Sequence, residues 1–182
     1  SRLHPVQTLL FALLAALAFG ASVVRAELPA AIQAKAEVYK KKLVEWSANP
    51  VIVKAVNESN AKGGLLPGMN NGKWDELADN DPLVMSILNQ PASKLVIQWE
   101  ADKGINKLFV RDEKGNMVAG SAKSLIYNAA ARPPFKEAMK GKPWAADEIK
   151  PIPEQIKSVH VSAPVLDAGK VIGVMHTAVT AE

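Results

Sequence analysis

Apolar and polar residues alternate near the C-terminus of the chain in the manner of β-strands. Every second residue from Val159 to Val165 is apolar, and the stretch from Val171 to Val179 is more continuously apolar. Alternation is typical of a strand with unlike faces, and a continuous apolar run is typical of a strand covered on both. Between them, Asp167-Ala168-Gly169 places a glycine where a three-residue hairpin loop needs a positive φ. The pattern predicts a hairpin in which Leu166 pairs with Lys170.

A second hairpin is predicted earlier in the chain. Leu108-Phe109-Val110 and Asn116-Met117-Val118-Ala119 are short apolar runs, and Asp112-Glu113-Lys114-Gly115 separates them as a turn. The stretch between the two hairpins, from Tyr127 to Ala138, contains no glycine and is interrupted by prolines. We expect this stretch to pass over one face of the sheet rather than to join it.

The stretch from Leu28 to Trp46 has the period of an amphipathic helix. Its apolar residues recur every three or four positions, and charged residues occupy many of the others. The apolar stripe consists of Ile32, Ala36, Tyr39, Leu43 and Trp46. Such a stripe packs against the domain's own sheet, or it is shared with a second copy of the chain as in a coiled coil. The second interpretation predicts a homodimer through this helix.

Turn and capping residues divide the chain before the first hairpin. Asn49-Pro50 ends the first helix and suits the start of another, and Asp81-Pro82 suits the start of a short helix to Asn89. Residues 63–72 hold four glycines and are predicted to form a loop. Residues 94–99 are apolar but too few to be assigned to helix or strand by their period.

Residues 1–26 have the pattern of a signal peptide. Arg2 precedes an apolar core from Leu9 to Phe19, and Val24-x-Ala26 offers small residues at a cleavage point. We therefore expect export to the periplasm, with a single mature domain at residues 27–182. The alternative is an uncleaved signal that anchors the protein in the inner membrane through residues 6–24.

The composition excludes several classes of function. The 182 residues include no cysteine, which excludes disulfides, CxxC redox chemistry and c-type haem attachment. The formal net charge is +4, and it falls to +2 without the two arginines of the first 26 residues, which is too low for a nucleic-acid partner. The sequence also lacks the motifs of serine hydrolases, zinc proteases and phosphate-binding loops. We expect neither enzyme activity nor a cofactor.

The order of these elements resembles that of the extracellular PAS-like sensor domains called Cache or PDC domains. The turn Asp112-x-x-Gly has the family's form, and so does the closing hairpin from Pro164 to Val174, which reads Pro-x-x-Asp-x-Gly-x-x-x-Gly-Val. The resemblance covers essentially all of residues 27–182. It implies an α+β fold, with a PAS-like antiparallel central sheet and a long N-terminal helix packed on one face. It also implies a stand-alone sensor domain for a small organic acid or a related metabolite.

One subset of this family, which recognises amino acids, carries the signature Tyr-x4-Arg-x-Trp-Tyr-x2-Ala before its ligand pocket. This chain has Tyr127, Arg132, Phe135 and Ala138 at the same spacings, with Pro134 in place of the tryptophan. The downstream Tyr-x-Asp of the subset, which holds a ligand ammonium, has no clear counterpart here. The match implies a small carboxylate or an amino acid as the ligand, with Arg132 on its carboxylate.

The candidate ligand-binding residues are Tyr127, Arg132, Phe135, Trp144, His160 and Ser162. Arginine presents a planar fork that bonds both oxygens of a carboxylate, while aromatic rings exclude water. The plainer alternatives are a surface arginine and aromatic residues of the core. His160 is expected to face His176 across the closing hairpin, but two histidines make a poor zinc site, so we expect no metal. His160 beside Ser162 is instead expected to be a polar pocket residue.

These features together favour a non-catalytic, periplasmic binding domain that captures a small organic acid and takes part in signal transduction. A membrane receptor or a transporter is the expected partner. The alternative is a structural or interaction module of the same fold, in which side chains fill the pocket and the N-terminal helix mediates pairing.

Overall fold

The computed structural model describes residues 27–151 and 156–182, so the predicted signal peptide lies outside the described residues. The helices are α1 (Ala30–Ser47), α2 (Pro50–Lys62), α3 (Asn71–Asp75), α4 (Pro82–Leu88), α5 (Pro91–Glu100) and α6 (Pro133–Ala138). The strands are β1 (Ile105–Asp112), β2 (Met117–Gly120), β3 (Trp144–Ala145), β4 (Lys150–Pro151), β5 (Lys157–Asp167) and β6 (Lys170–Thr180). Among these helices, none is both long and apolar enough to cross a membrane.

The helix boundaries follow the capping residues of the sequence. The side chain of Asn49 accepts a hydrogen bond from the backbone N–H of Val51 at 2.9 Å, and Asp81 accepts one from Leu83 at 2.8 Å. Each cap satisfies an N–H group that the first turn of a helix leaves unpaired. Residues 94–99, which have no assignment from their period, belong to α5, which begins at Pro91.

The strands form one antiparallel sheet. Its order is β2-β1-β6-β5-β3, and β4 also pairs with β5. The two predicted hairpins are β1–β2 and β5–β6, and β6 lies between β1 and β5 at the centre. The predicted fold class is confirmed, since the structure is α+β, with the N-terminal helix packed on an antiparallel sheet.

Helix α1 uses its apolar stripe inside its own domain. Tyr39 and Leu43 are 6% and 0% exposed and belong to the main core cluster, against which Ile32 and Trp46 also pack. The indole of Trp46 stacks on Trp99 of α5, with the ring centroids 5.5 Å apart. The stripe therefore packs on the domain's own sheet. Tyr39 and Leu43 are not available to a second copy, and the homodimer stays a prediction.

The sheet has two unlike faces. Val110, Ala163 and Met175 are neighbours across β1, β6 and β5, and all three lie in the core cluster beneath α1, α2 and α5. Alternate residues point to the other side. We call that other side the distal face, defined by Phe109, Arg111, His160, Ser162, Trp144, Val174 and His176.

The predicted three-residue loop of the closing hairpin, with Leu166 paired to Lys170, is wrong. The loop has two residues rather than three, because Ala168 and Gly169 both adopt positive φ, at 49° and 81°, and Asp167 pairs with Lys170. Two consecutive positive φ values match the twist of the flanking strands. A further shift of register follows between Val165 and Leu166.

The shorter loop and the shift of register together change which residues lie opposite the two histidines. His160 lies opposite Ala178, and His176 lies opposite Ser162, so the prediction that the two histidines face each other directly is wrong. They share the distal face as diagonal neighbours.

Candidate functional site

One row of side chains crosses the distal face on four neighbouring strands. Phe109 of β1 lies opposite His176 of β6, which lies opposite Ser162 of β5, which lies opposite Trp144 of β3. Residues directly opposite each other across strands have neighbouring side chains. The row therefore places two polar residues between two aromatic residues.

The segment between the hairpins covers this face through α6, but its first residues pair with the β1–β2 hairpin, since the N–H of Met117 donates to the carbonyl of Tyr127 at 2.8 Å. The prediction that this segment does not join the sheet therefore holds only in part. Arg111 Nη1 donates to the backbone carbonyls of Ile126 and Tyr127, at 3.1 and 2.8 Å. Further along, α6 packs Phe135 and Ala138 against Val174 of β6. The cover is thus held by hydrogen bonds on the β1 side and by apolar contact beneath α6.

Two polar atoms beneath this cover are buried without a hydrogen-bond partner. They are Nδ1 of His160 and Oγ of Ser162, which lie two residues apart on β5 and so share the distal face. Leaving a buried polar atom unpaired costs about 1–3 kcal/mol. Ser121 Oγ and Glu100 Oε2 are in the same condition, but neither belongs to this face. Neighbouring unpaired atoms on one face are a feature to be explained.

Two cations act on His160. Burial lowers the pKa of His160, and the positive charges of Lys150 and Arg132 lower it further. Arg132 is exposed and stands at the start of α6, where its backbone carbonyl accepts from Lys136 at 3.0 Å. Its guanidinium has no ion pair among the described residues, whereas Lys150 pairs with Glu148 at 3.2 Å.

The six predicted ligand residues fall into three groups. His160, Ser162 and Trp144 share the distal face, and the charge of Arg132 acts on His160. Phe135 is 7% exposed and packs beneath α6 on the same face. Tyr127 belongs to a different cluster of buried residues.

Tyr127 packs like an aromatic residue of the core. Its ring is 2% exposed and lies 5.4 Å from that of Trp74, measured between centroids. Its hydroxyl accepts a hydrogen bond from the backbone N–H of Leu66 at 3.2 Å. This is the plainer of the two interpretations of Tyr127, and the role of its hydroxyl as a donor to a ligand stays a prediction.

Arg111 and His176 also lie on this face, but the sequence analysis did not include them among the candidate site residues. Arg111 is 2% exposed, and burial lowers the pKa of its guanidinium to about 10. Its Nε donates to His176 Nε2 at 3.1 Å, and its charge lies 5.6 Å from the centre of the Phe109 ring. The available signal was an arginine that directly follows an apolar strand, at the alternate position that shares a face with Phe109.

Two surface depressions lie away from the row. One lies between α2 and the tip of the closing hairpin and is lined by Val53, Asn57 and Leu166 among others. The other lies beside α1, at Lys40, Val44 and neighbouring residues. Neither includes a residue of the row, so the unpaired polar atoms, rather than these depressions, mark the candidate site. Within the described ranges, no group of three or more His, Asp or Glu side chains is placed to hold a metal ion.

Comparison with known proteins finds similarity in structure only. No protein-family model and no curated protein matches the chain. Similar solved structures include the sensor domain of the V. cholerae histidine kinase DctB and the ligand-binding domain of the Pseudomonas aeruginosa PAO1 amino acid chemoreceptor PctC in complex with GABA. A third is the sensor domain of E. coli DcuS.

These similarities are of fold alone. The sequence identities are 17%, 14% and 14%, and the TM-scores are 0.43, 0.46 and 0.42. The matched regions cover 82%, 84% and 70% of this chain, and 57%, 56% and 89% of the other chains. This chain therefore spans just over half the length of the first two. The predicted structural similarity to Cache or PDC sensor domains is found, at low sequence identity.

Proposed function

We propose that this protein is a non-catalytic, sensor-type domain that binds a small carboxylate on the distal face and works in the periplasm. The carboxylate lies at the rim, against Arg132, and the rest of the ligand extends inward toward His160 and Ser162, with Trp144 at its side. A membrane receptor or a transporter receives the signal. The observation that carries the proposal is the pair of buried, unpaired polar atoms beside an arginine without an ion pair.

The charges near this site suit an anion. The positive charges of Arg132 and Lys150 both act on His160, and the pKa of His160 is low, so that its ring is neutral at neutral pH. A carboxylate at this position gains charged hydrogen bonds from Arg132, each worth on the order of 1.5–3 kcal/mol. It also relieves the cost of the unpaired atoms beneath it, because a ligand oxygen replaces the missing partner.

The same geometry argues against hydrolysis by a serine. A serine nucleophile needs a base within hydrogen-bond reach, and that base needs a third group to orient it. Neither Ser162 Oγ nor His160 Nδ1 has any hydrogen-bond partner, so the two do not bond to each other. The lack of this hydrogen bond supports binding rather than catalysis.

A thermal-shift screen of small organic acids and amino acids tests the proposal. A ligand present at 100 times its dissociation constant stabilises the folded state by about 2.7 kcal/mol. For a domain of this size, that corresponds to a rise in melting temperature of about 5–10 °C. If no carboxylate raises the melting temperature, the proposal is wrong, and the structural alternative of the same fold is favoured.

Calorimetry on variants of Arg132 then tests the site itself. Arg132→Ala should weaken binding of the acid found in the screen by at least tenfold, which corresponds to 1.4 kcal/mol. Arg132→Lys should weaken it nearly as much, because the charge is kept and the planar fork is lost. Lys136→Ala is the matched control, since Lys136 is an exposed cation one turn along α6. Equal losses at Arg132 and Lys136 would point to a general charge effect and against this site.

A further inference from the structure

His176 is held in one chemical form by its neighbour. Arg111 Nε lies 3.1 Å from His176 Nε2. A guanidinium only donates hydrogen bonds, so Nε2 is the acceptor and carries no proton. The ring is therefore neutral, and its single proton is on Nδ1. Burial, together with the charge of Arg111, keeps the pKa of His176 well below its usual range.

The Nδ1–H group of His176 has no partner among the described residues. Protein atoms crowd the His176 side chain, yet the residue is only half-buried, so part of it remains accessible. Its direct neighbour across the strands is Ser162, whose hydroxyl is also unpaired. The inner part of the site thus offers a fixed N–H donor beside a hydroxyl that can donate or accept.

We propose that His176 is a specificity-determining residue, and that its Nδ1–H donates a hydrogen bond to an uncharged keto or hydroxyl oxygen of the ligand. This inference rests on the proposed function, because the carboxylate of the same ligand lies at Arg132. The ligand class is then a short oxo- or hydroxy-carboxylate.

A second carboxylate on the ligand, near His176, is disfavoured. Arg111 has no pair of neighbouring guanidinium nitrogens free to bind it. Bidentate binding of a carboxylate uses two neighbouring guanidinium nitrogens, either Nε with Nη2 or Nη1 with Nη2. Nε is committed to His176, and Nη1 is committed to the carbonyls of Ile126 and Tyr127. The donors that remain for a ligand at the inner end of the row are chiefly neutral.

An ammonium group is disfavoured by charge. Arg111 places a buried positive charge next to His176, and Arg132 and Lys150 place two more near His160. The carboxylate of Asp112 partly offsets the charge of Arg111, but no carboxylate of a described residue hydrogen-bonds His160, Ser162 or His176. Like charges in a poorly solvated space repel strongly, so an amino acid is a worse ligand than the oxo or hydroxy acid of the same length.

The distance between His160 and Ser162 along β5 limits the length of the ligand. His160 and Ser162 are two residues apart on β5, which is about 6.7 Å along a strand. His160 is the residue near the cations, and Ser162 is the residue opposite His176. The carboxylate and the neutral oxygen are therefore separated by a few bonds, as in acids of three to five carbons.

Calorimetry with matched probes tests this inference. For chains of three, four and five carbons, the probes are the plain acid and the same acid with an oxo, a hydroxyl or an amino group at the far end of the chain, several bonds from the carboxylate. The parent protein should bind the oxo or hydroxy acid at least tenfold more tightly than the plain acid of the same length, and the amino acid more weakly than either. Equal binding of all four overturns the role of His176 and leaves carboxylate binding intact. No binding by any acid overturns both proposals.

Variants of His176 separate recognition from structural support. His176→Phe should remove the preference for the oxo or hydroxy acid while plain acids still bind. His176→Gln should restore much of the preference, because its amide oxygen accepts from Arg111 and its amide nitrogen donates to the ligand. Met175→Leu, on the opposite face of β6, is the control for general loosening of the strand. If His176→Phe leaves the ratio of affinities unchanged, the assignment is wrong.

Nitrogen NMR of the histidine rings gives a test that needs no ligand. We expect His176 to be the Nδ1–H tautomer, with Nε2 unprotonated, throughout pH 5–8. Arg111→Met should release this constraint. An Nε2–H tautomer or an imidazolium in the parent protein at pH 7 contradicts the inference even if His176→Phe does not fold.

Discussion

Asp112 joins the first hairpin to helix α2, and its replacement tests how firmly the turn holds that helix. The residue is 1% exposed, and its carboxylate accepts four hydrogen bonds. The donors are the backbone N–H groups of Lys114 and Asn116, both at 3.0 Å, the side-chain amide of Asn116 at 3.1 Å and the hydroxyl of Ser59 at 2.8 Å. The first three close the turn, and the fourth reaches α2.

The expected loss of stability follows from the donors that remain. Asp112→Ala leaves both N–H donors of Asn116 buried without this partner, and each such donor costs about 1–3 kcal/mol. The hydroxyl of Ser59 can turn to a carbonyl of its own helix, so it adds little. The negative charge of Asp112 also favours the buried charge of Arg111. We expect Asp112→Ala to lower the free energy of unfolding by about 3–5 kcal/mol, a large part of the 5–15 kcal/mol typical of a domain.

Urea denaturation followed by tryptophan fluorescence measures this loss. Ser59→Ala removes only one of the four donors and should cost about 1 kcal/mol. The double variant should show a coupling energy of about 1 kcal/mol, because the two residues share one hydrogen bond. Asp112→Asn should cost less than Asp112→Ala, since its oxygen still accepts from the backbone of the turn. A loss below 1 kcal/mol for Asp112→Ala, or no coupling to Ser59, would refute this reasoning.

Three further predictions concern other parts of the fold. Burial raises the pKa of Glu100, so the parent loses stability as the pH rises through that pKa, and Glu100→Gln should raise the urea midpoint at pH 8 more than at pH 4. Burial opposes ionisation of Asp102, but hydrogen bonds, led by that from Lys42, lower its pKa to about 2; the stability that the pair contributes should be lost between about pH 4 and pH 2, a loss absent in Asp102→Asn. Gly173→Ala places a Cβ 2.2 Å from the carbonyl oxygen of Arg111 and should lower the melting temperature sharply, as circular dichroism will show, because backbone has to move.

Local signals in the sequence were enough for three of the six described helices, which are α1, α2 and α4, and for both hairpins. Asn49 and Asp81 cap helices in the structure as their types and the following prolines predict. The assignment of α5 was not available from its period, because ten residues allow too few repeats, and its face is defined only by packing against the sheet. The register of the closing hairpin could not be predicted from local residues either. Because the loop has two residues and the register shifts beside Leu166, His176 lies opposite Ser162 and not opposite His160 as predicted.

The part of the candidate site that lies on one strand could also be predicted from local sequence. His160 and Ser162 alternate along one strand, so their common face follows from the sequence alone. That Arg132 acts on His160 depends on where α6 lies over the sheet, which no short motif determines. Tyr127 matched the family signature in type and spacing, yet its ring packs against Trp74, because the loop carries it into a separate apolar cluster.

Arg111 supports the recognition proposed for this face without binding the ligand itself. Its guanidinium joins the sheet to the cover through the carbonyls of Ile126 and Tyr127, and it joins β1 to β6 through His176. These contacts leave it unsuited to bind an anion by two parallel hydrogen bonds, but they fix the tautomer of the half-buried His176. A ligand that bonds His176 therefore acts on the residue that ties the cover to the sheet. Binding on the distal face should for this reason stiffen the segment from Ile126 to Arg132, which hydrogen exchange of its backbone amides will measure.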